Sequence, residues 1–442
     1  MTRFAFSALA LLALTAALPS PRAAHQSYHV SPTGSAAGTG SVTRPWDLTT
    51  ALRGGGASGR IQPGDTVWLH GGRYRGAFRT SLRGQADRPI VFRQAEGERA
   101  TIDGTLRAEG SHLWFWGFEI MQSAPQTYGL EARTNYGKFI NLVIHDAGTM
   151  GVSFWTPGEN AELSGCIVYR NGTHENLDHG VYVHNERGTK LIADNVFFEN
   201  LAYGIHAYAT SRNPPQRNIH VVGNIAFNNG TISRRYRAKG NIIMGGDVPM
   251  SGIEVVDNLL FFPGAHGENL RLGYGRVVNG DVLARGNFMW GGDAALVIGE
   301  GTWTSMRVEN NTFGGARKMV RAIGLALWPA IERANVYYES PRTLPAPAVF
   351  VRPNRYEPGR AHIAIYNLRS LSSVNVSLAK VLRVGQRYEL RDVQDVFGKP
   401  VISGTFAGDS VRVPVPGKFK TFLLTASGGS AAPSGTLRSL AP

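Results

Sequence analysis

Cysteine is nearly absent from this chain of 442 residues, where Cys166 is the single example. One cysteine excludes an intramolecular disulfide and any metal cluster built on several thiolates. Lysine is also scarce, because only 8 of the 46 basic residues are lysines, against 32 acidic residues. The cations are therefore mostly arginines, whose planar guanidinium group favours bidentate binding of carboxylate, sulfate or phosphate. The net charge of +14 predicts an anionic partner, either nucleic acid or an acidic polysaccharide.

Long hydrophobic runs are missing after the N-terminus. There, a charged start is followed by an apolar run from Phe4 to Leu18 and by small residues, which is the order of a secretory signal peptide over residues 1–24. The run is short for a membrane span and no later run is longer, so we expect no membrane span. Export disfavours a nucleic-acid partner and favours an anionic polysaccharide. We therefore expect a monomer that is secreted or periplasmic.

A short motif of the form apolar-x-x-Asn-apolar-apolar-aromatic recurs through the middle of the chain. Its anchor positions are Gly117, Asn141, Cys166, Asn195, Asn224, Asn258, Asn287 and Asn311. The spacings of 24 to 34 residues are typical of a solenoid, and each period holds short runs rich in Val, Ile and Phe. This pattern predicts a parallel β-helix, because a β-propeller blade needs about 40 residues. Stacked asparagines would bond backbone groups at one inner turn, and Cys166 would fill the same slot by packing.

The beginning of the chain carries four motifs that identify a family. They are YHVSPTG at 28–34, RPW at 44–46, IQPGDTV at 61–67 and GGRY at 71–74. This opening resembles the start of secreted right-handed parallel β-helix proteins of the pectate-lyase-like superfamily, and the resemblance covers roughly residues 27–330. It implies that the segment caps the helix and leads into the first coil. The superfamily includes lyases, hydrolases and epimerases, so the fold alone does not choose the reaction.

The pattern changes at about residue 341. A connector rich in proline and arginine is followed by runs of alternating apolar and polar residues, which predict antiparallel strands. The sequence therefore predicts an all-β fold with a right-handed parallel β-helix over residues 25–340 and a small C-terminal antiparallel β-sandwich over 346–427. The last residues, 428–442, are rich in Ser, Gly, Ala and Pro, and we expect them to form a flexible tail.

A second series of strands follows the anchor motifs, and most of them open on a glycine. Because side chains alternate along a strand, the third and fifth residues of each should point outward. The third-position column then reads Glu131, Ser153, Tyr182, His206, Ile242 and Arg271. The fifth-position column reads Arg133, Trp155, His184, Tyr208, Met244 and Gly273. These aromatic, imidazole and guanidinium groups predict a sugar-binding groove, with aromatic packing under a covering loop as the alternative.

The groups in these columns match the needs of a polysaccharide lyase acting on a uronate polymer. β-Elimination needs a cation to neutralise the C6 carboxylate, a base for the C5 proton and an acid for the leaving oxygen. The expected catalytic residues are Tyr182, His206, Arg271, His184, Tyr208 and Lys239. The expected substrate-binding residues are Arg133, Trp155, His179, Arg234, Arg235 and Arg237. A histidine would take the proton, and a tyrosine would protonate the leaving group or, beside cations, act as the base.

Three other functions stay open. A glycoside hydrolase would use two carboxylates about 5 to 9.5 Å apart, for which Asp178 and Glu268 are the candidates. A uronate epimerase would use nearly the same groups as the lyase. A non-catalytic glycan-binding β-helix would use the aromatic and arginine side chains for binding alone. The two columns hold one carboxylate beside several bases and cations, which favours the lyase over the hydrolase.

The coil around Arg271 carries a further resemblance. Its run 268–272, followed by 282–288, is similar to the arginine-bearing coil of the alginate and chondroitin lyases of the superfamily. The sequence departs from them at their calcium-binding acidic pair and at their lysine spacing, so the resemblance does not carry a metal over to this chain. No cofactor is assigned, and calcium stays an open alternative.

Overall fold

The computed structural model describes residues 25–56, 59–174, 177–233, 239–322, 328–341, 343–344 and 346–427. Its two α-helices are short, Leu48–Leu52 and Trp328–Arg333, and a 3₁₀ turn covers Val393–Asp395. Neither helix in this part of the chain is long and apolar enough to cross a membrane. Almost all other regular structure is β, with a parallel solenoid followed by antiparallel sheets, so the predicted fold class is confirmed.

Each coil of the β-helix contributes strands to three parallel sheets. Sheet 1 consists of Ser27–Val30, Thr66–Leu69, Ile90–Gln94, Leu113–Trp116, Lys138–Ile140, Glu162–Ser164, Lys190–Ala193, Ile219–Val222, Ile253–Val256, Val278–Arg285 and Thr302–Glu309. Sheet 2 consists of Glu119–Met121, Val143–His145, Ile167–Tyr169, Val196–Phe198, Ile225–Phe227, Leu259–Phe261, Phe288–Trp290, Thr312–Gly314 and Val336–Tyr338. Sheet 3 consists of Leu130–Ala132, Val152–Phe154, Val181–Val183, Ile205–Ala207, Gly240–Met244, Glu268–Leu272, Ala294–Ile298 and Lys318–Ala322.

Sheets 2 and 3 begin on two long strands, Gly72–Thr80 and Ala100–Ala108, which pair with each other. The second of these strands pairs with the first strand of sheet 2 and also with the first strand of sheet 3. A separate short pair joins Gln216–Arg217 to Met250–Ser251.

The interior of the coils is filled by apolar side chains that stack from one coil to the next. Phe92, Phe115 and Phe139 occupy paired positions in sheet 1, and their ring centroids are 5.4 Å apart at each step. Val181 and Val183 of sheet 3 are fully buried in the same interior. Burial of such a side chain stabilises the fold by roughly 1.5–3 kcal/mol, so the alternation along each strand decides which face is outside.

The predicted asparagine turn is confirmed between sheets 1 and 2. Its members are Cys166, Asn195, Asn224, Asn258, Asn287 and Asn311, and Asn335 continues the series. Each backbone N–H donates to the side-chain oxygen of the next member at 2.8 to 3.0 Å, and the asparagine Nδ2 groups donate to the same oxygens. This first asparagine ladder satisfies polar groups that burial would otherwise leave unpaired.

The structure corrects the anchors at Gly117 and Asn141. Both residues have positive φ, 84° and 53°, and each comes one residue before the ladder slot, where Phe118 and Leu142 are buried. In six later coils, too, the residue directly before the ladder member has a positive φ. Asn141 therefore does not join the ladder, and its Nδ2 instead donates to Glu357 at 2.8 Å.

A second asparagine ladder, which the sequence analysis missed, lies between sheets 2 and 3. Its members, all fully buried, are Asn171, Asn200, Asn229, Asn241 and Asn269. Each Nδ2 donates to the Oδ1 of the next member at 2.9 Å. A signal was present, because Asn200 and Asn229 each come five residues after an anchor asparagine. The two ladders fix both turns around sheet 2, and the second ladder fixes the start of the middle strands of sheet 3, from Val181–Val183 to Glu268–Leu272.

The C-terminal region forms two antiparallel sheets. The larger has the strand order Ala348–Pro353, Arg360–Tyr366, Phe419–Ser427, Arg387–Asp392 and Ile402–Thr405. The smaller pairs Ser373–Ser377 with Ser410–Pro414. Apolar side chains from both sheets form one buried cluster, as expected for a sandwich. The exact domain limits at 340 and 346, like the flexible tail, stay predictions.

The β-sandwich packs on the outside of sheet 2. There, a column of aromatic rings runs through Tyr169, Phe198 and Phe227, with centroids 4.8 and 5.1 Å apart. Phe419 of the sandwich stacks on the next ring, Phe261, at 4.6 Å. These outward-facing rings are buried because the sandwich covers them. The sandwich therefore occupies one outer face of the β-helix and leaves the outer face of sheet 3 for another use.

Candidate active site

The outer face of sheet 3, called here the sheet 3 face, carries the predicted columns. Strand pairing places one residue from each coil side by side in the third column: Arg79, Arg107, Glu131, Ser153, Tyr182, His206, Ile243, Arg271, Val297 and Arg321. Neighbouring strands are about 4.8 Å apart, so the column is roughly 43 Å long. The column thus extends past both ends of the series predicted from the sequence.

One coil is shifted by a residue relative to the prediction. Ile243, and not Ile242, pairs with His206 in the third column. Ile242 and Met244 are fully buried in the core, so neither lies in an outward column. The shift follows from the second ladder, because Asn241 is placed there and brings the strand into a different register.

The centre of the sheet 3 face is a cluster of aromatic rings around His206. The centroid of its imidazole lies 5.0 Å from the ring of Tyr182, 5.1 Å from Tyr203 and 5.2 Å from Tyr208. The ring of His179 lies 3.9 Å away. Tyr182 and His206 stand on neighbouring strands, as predicted, and both are partly exposed. The structure therefore brings an imidazole and a phenol together where a ligand can reach them.

Two predicted site histidines are buried, which corrects the expectation that they face the substrate. His179 is 2% exposed, and its Nδ1 accepts the backbone N–H of Tyr203 at 3.2 Å. His184 is 1% exposed, because the ring of Trp155 covers it at 4.7 Å and its Nε2 bonds the carbonyl of Pro214 at 3.2 Å. Both histidines therefore support the wall of the site from behind.

Burial sets the protonation of the central groups. It lowers the pKa of His206 well below 6.5, and His179 and Lys239 lower it further. The Nδ1 of His206 is buried and has no hydrogen-bond partner among the described residues. Burial also raises the pKa of Tyr182, and Tyr128 adds to this effect. A neutral imidazole thus faces a protonated phenol, and the alternative in which a tyrosine with a lowered pKa acts as base is not supported.

The side chains beside this centre are already engaged with neighbours. The Tyr208 hydroxyl donates to Asp247 at 2.8 Å, and burial together with that carboxylate raises the pKa of Tyr208. Trp155 is partly exposed and packs on Tyr182 with ring centroids 4.9 Å apart. Arg133 lies 3.9 Å from Glu131, an ion-pair distance without a hydrogen bond. The predicted Arg234, Arg235 and Arg237 lie outside the described residues.

The two predicted cations, Arg271 and Lys239, differ in their position and in their partners. Arg271 stands two strands beyond His206, and both of its hydrogen bonds to Glu268 are 2.7 Å long. Lys239 precedes the intervening strand, with its Nζ 5.8 Å from the ring of Tyr203. Burial lowers the pKa of Lys239, and Arg271 contributes to the lowering. Lys239 therefore adjoins the His206 cluster, and its charge acts on His206 itself.

A buried lysine that the sequence analysis missed supports this wall from inside. Lys190 is fully buried, and its Nζ donates to the carbonyls of Phe154, Trp155 and His184 at 2.9, 2.7 and 2.9 Å. The three N–H groups of the Lys190 ammonium group thus meet three backbone carbonyls at the ends of two neighbouring sheet 3 strands. Burial lowers the pKa of Lys190 to about 7, with a nearby Arg133 also lowering it.

The carboxylates predicted for a hydrolase have structural partners. Asp178 is buried and accepts the backbone N–H groups of Thr173 and His174 at 2.8 and 2.6 Å, so it closes its own loop. Glu268 is paired with Arg271 and with Arg321. Both carboxylates are therefore engaged in structural contacts, and they are not arranged as the acid and the base of a hydrolase.

The residues present do not suit a calcium ion. In the part of the chain that the structure describes, no three side chains of His, Cys, Asp or Glu are grouped so as to hold a metal. Glu268 and Asp293, two carboxylates of this face, both pair with Arg321. An oxygen-rich anionic site of the kind that calcium needs is therefore not built here.

Comparison with known proteins supports the fold. A family model described as the Pel9A-like right-handed β-helix region matches residues 28–247. No curated protein matches the chain.

Several solved structures are similar to this chain at low identity. They include pectate lyase Pel9A, 16% identical over 65% of this chain and 79% of that chain, with a TM-score of 0.48. A mannuronic acid specific family 6 lyase from human gut microbiota is 16% identical over 72% of this chain and 88% of its own, with a TM-score of 0.42. A rhamnogalacturonan lyase is 15% identical over 65% of this chain and 74% of its own, with a TM-score of 0.44. Identities this low do not carry a reaction from one protein to another. The match to the β-helix family model, on a chain whose coils stack in three parallel sheets, confirms the predicted resemblance to the right-handed parallel β-helix proteins of the pectate-lyase-like superfamily.

Proposed function

We propose that this protein is an exported polysaccharide lyase that cleaves an acidic, uronate-containing polysaccharide by β-elimination. The observation that carries the proposal is the pairing of Tyr182 with His206 on neighbouring strands, with ring centroids 5.0 Å apart. The carboxylates of the same face, Glu131 and Glu268, lie beside arginines. An uncharged acid–base pair beside neutralised carboxylates fits elimination better than hydrolysis, which needs two available carboxyl groups.

In the proposed reaction His206 takes the proton from C5 of the uronate. The electrons of that C–H bond form the C4–C5 double bond, the bond from C4 to the glycosidic oxygen breaks, and Tyr182 protonates this oxygen. The imidazole is neutral before the substrate binds, because burial lowers its pKa. A substrate carboxylate beside it would raise that pKa, and so would strengthen the base when the substrate is present.

Lys239 is the proposed partner of the substrate carboxylate. It precedes the strand between those of His206 and Arg271, and its charge acts on His206. Arg271 takes a second position, since Glu268 already holds its guanidinium group. Trp155 and Arg133 would contact the sugars on the other side of the cleaved bond. Export of the protein rests on the signal-peptide pattern in residues 1–24.

The test is to incubate the purified protein with pectate, alginate, chondroitin and neutral glycans, and to follow ultraviolet absorbance. Elimination leaves a conjugated double bond, and hydrolysis does not. We expect absorbance to rise with at least one uronate polymer and with no neutral glycan. New reducing ends without absorbance would instead identify a hydrolase, and a polymer whose C5 configuration changes without cleavage would identify an epimerase. Binding without any chemical change would identify a glycan-binding protein.

A further inference from the structure

Two clusters of arginines with carboxylates stand on the sheet 3 face, one on each side of the aromatic centre. The first cluster consists of Arg79, Arg107 and Arg133 with Glu109 and Glu131. The second cluster consists of Arg271, Arg317 and Arg321 with Glu268 and Asp293. Each has three guanidinium groups and two carboxylates, which leaves one excess positive charge. From the sequence, only one arginine of each cluster was expected on this face, Arg133 in the first and Arg271 in the second, and no pairing was expected.

The clusters are placed symmetrically about the proposed reacting groups. Strand pairing puts Arg107 four strands before His206 and Arg321 four strands after it. At about 4.8 Å per strand, Arg107 and Arg321 are roughly 38 Å apart along the β-helix. A ligand that contacts both clusters must therefore be an extended chain.

In both clusters guanidinium groups lie outside and the acids lie beneath them. The side chains of Arg79 and Arg317 are 66% and 62% exposed, whereas those of Glu109 and Asp293 are 17% and 19% exposed. Hydrogen bonds from Arg79 and Arg107 lower the pKa of Glu109 even though burial opposes this, so the acid stays charged and holds the arginines in place. A half-buried acid that fixes exposed guanidinium groups prepares them for an anion, because less side-chain freedom is lost on binding.

Each cluster also has an unfilled feature. The Nε of Arg133 is buried and has no hydrogen-bond partner among the described residues, and a ligand oxygen could satisfy it. At the second cluster, a cavity of about 410 Å³ is lined by Ala265, His266, Glu268, Asp293 and Arg317. The unpartnered Nε of Arg133 and the cavity beside Arg317 are different kinds of feature, but each lies within one of the two arginine clusters.

We propose that the two clusters are anion-binding subsites at the ends of one binding face, so that the protein holds a long acidic polysaccharide at both ends and acts on bonds inside the chain. The inference rests on the proposed function for the kind of polymer and for cleavage at the centre. The outer arginines of the clusters, Arg79 and Arg107 on one side and Arg317 and Arg321 on the other, bind carboxylates of sugars several units away from the cleaved bond. A short oligomer can occupy the centre and contact the inner arginines, Arg133 and Arg271, but it cannot reach the outer arginines of either cluster.

The test compares the affinities of short and long oligomers by titration calorimetry. The probes are digalacturonate and dimannuronate, with the corresponding oligomers of about ten units, which are long enough to gain from linked contacts. The variants are Arg79→Ala and Arg317→Ala, alone and combined. Each removes the most exposed arginine of a cluster and leaves a second arginine on the same acid. Arg307→Ala is the matched control, because Arg307 is 61% exposed but lies on sheet 1.

We expect each single variant to weaken binding of at least one long oligomer about two- to fivefold, the range of an exposed charge contact. The double variant should multiply the two effects, while affinity for the dimers and the Arg307→Ala control should not change. Equal weakening for dimers and long oligomers, an equal effect of Arg307→Ala, or no preference for either long oligomer over its dimer would overturn the inference. If the length dependence holds and no unsaturated product forms, the two anion-binding subsites stand, whereas internal cleavage and the lyase proposal fail. If unsaturated product forms but the variants leave the affinity for long oligomers unchanged, the lyase proposal stands and the proposal of two anion-binding subsites fails.

Discussion

Two neighbouring faces of this β-helix carry aromatic columns, and they differ in what covers them. The column on sheet 2 is built mainly of phenylalanines such as Phe198 and Phe227, and the C-terminal sandwich buries it. The two columns on sheet 3 contain Trp155, Tyr182 and His206, and they keep part of their surface exposed. Rings without polar atoms need no hydrogen bonds, so they suit a covered interface. Rings with a hydroxyl or an imidazole remain useful where water and ligands reach them.

The buried sides of the two sheets also differ in the groups that supply hydrogen bonds. Behind sheet 2, the two asparagine ladders provide hydrogen bonds at both turns. Behind sheet 3, Lys190 bonds three backbone carbonyls below Trp155 and His184. Four predictions separate these contributions, beginning with the largest expected effect.

The first prediction concerns the exposed column. His206→Ala and Tyr182→Phe should each lower the rate on a confirmed substrate by about 10²- to 10⁴-fold, since each removes a proton-transfer group. The melting temperature should stay close to that of the wild type. The matched control is His220→Ala, because His220 lies on sheet 1 and faces away from the site. Near-wild-type rates in both site variants would remove His206 and Tyr182 from the mechanism.

The second prediction concerns the covered column. Phe198→Ala should lower the free energy of unfolding by about 3–5 kcal/mol, because it opens a cavity between sheet 2 and the sandwich. The rate per folded molecule should not change, since Phe198 is remote from the reacting groups in this arrangement. Denaturant unfolding monitored beside activity checks both statements. A variant that kept its stability and lost activity would reverse the roles assigned to the two columns.

The third prediction concerns the turn that both columns share. Asn224→Leu should destabilise the protein by about 1–3 kcal/mol, because it leaves the backbone N–H of Asn195 and the carbonyl of Ile192 without their partners. Denaturant unfolding of Asn224→Leu is the measurement, and Asn375→Leu is the control, because Asn375 lies outside the ladders at an exposed position of a strand in the C-terminal sandwich. An effect no larger than that of the control would show that the ladder contributes little to stability.

The fourth prediction concerns Lys190 and pH. The pKa of Lys190 is lowered to about 7 in the folded protein from 10.5, so the unfolded chain binds more protons between these values. Stability from this group should therefore rise with pH over that interval and decrease as pH falls toward 7. Lys190→Met should lack the rise, whereas Lys318→Met, at an exposed lysine, should keep it. Melting temperatures measured across this interval check the sign, and parallel curves for wild type and Lys190→Met would contradict it.

Most of the fold could be predicted from the sequence because it depends on local, repeated features. Asn195, Asn224 and Asn258 each lie at the same turn, and their spacing alone indicated one coil per repeat. The alternation of apolar residues gave the correct outward direction for Tyr182 and His206. The sequence pattern placed the ladder position at Asn141, one residue too early. Asn141 has a positive φ, which the pattern did not reveal, and it precedes the ladder position.

The candidate site was only partly predictable, because its properties depend on contacts between distant residues. His179 and His184 have outward or loop positions in the sequence, but neighbouring coils bury them. The carboxylate of Glu268 is engaged by Arg321, which is 53 residues later in the chain. The offset at Ile243 follows from Asn241 joining a ladder that runs across coils.

The sequence by itself therefore determined the solenoid, its asparagine turn and the outward Tyr182–His206 pair, since these follow from a period and from alternation along single strands. Only the tertiary structure decided which outward face the sandwich covers, which histidines are buried and which acids hold the arginines. Those outcomes depend on burial and on charges brought together from different coils. The physical reason is that stacking places residues about 4.8 Å apart whose separation along the chain is a whole repeat.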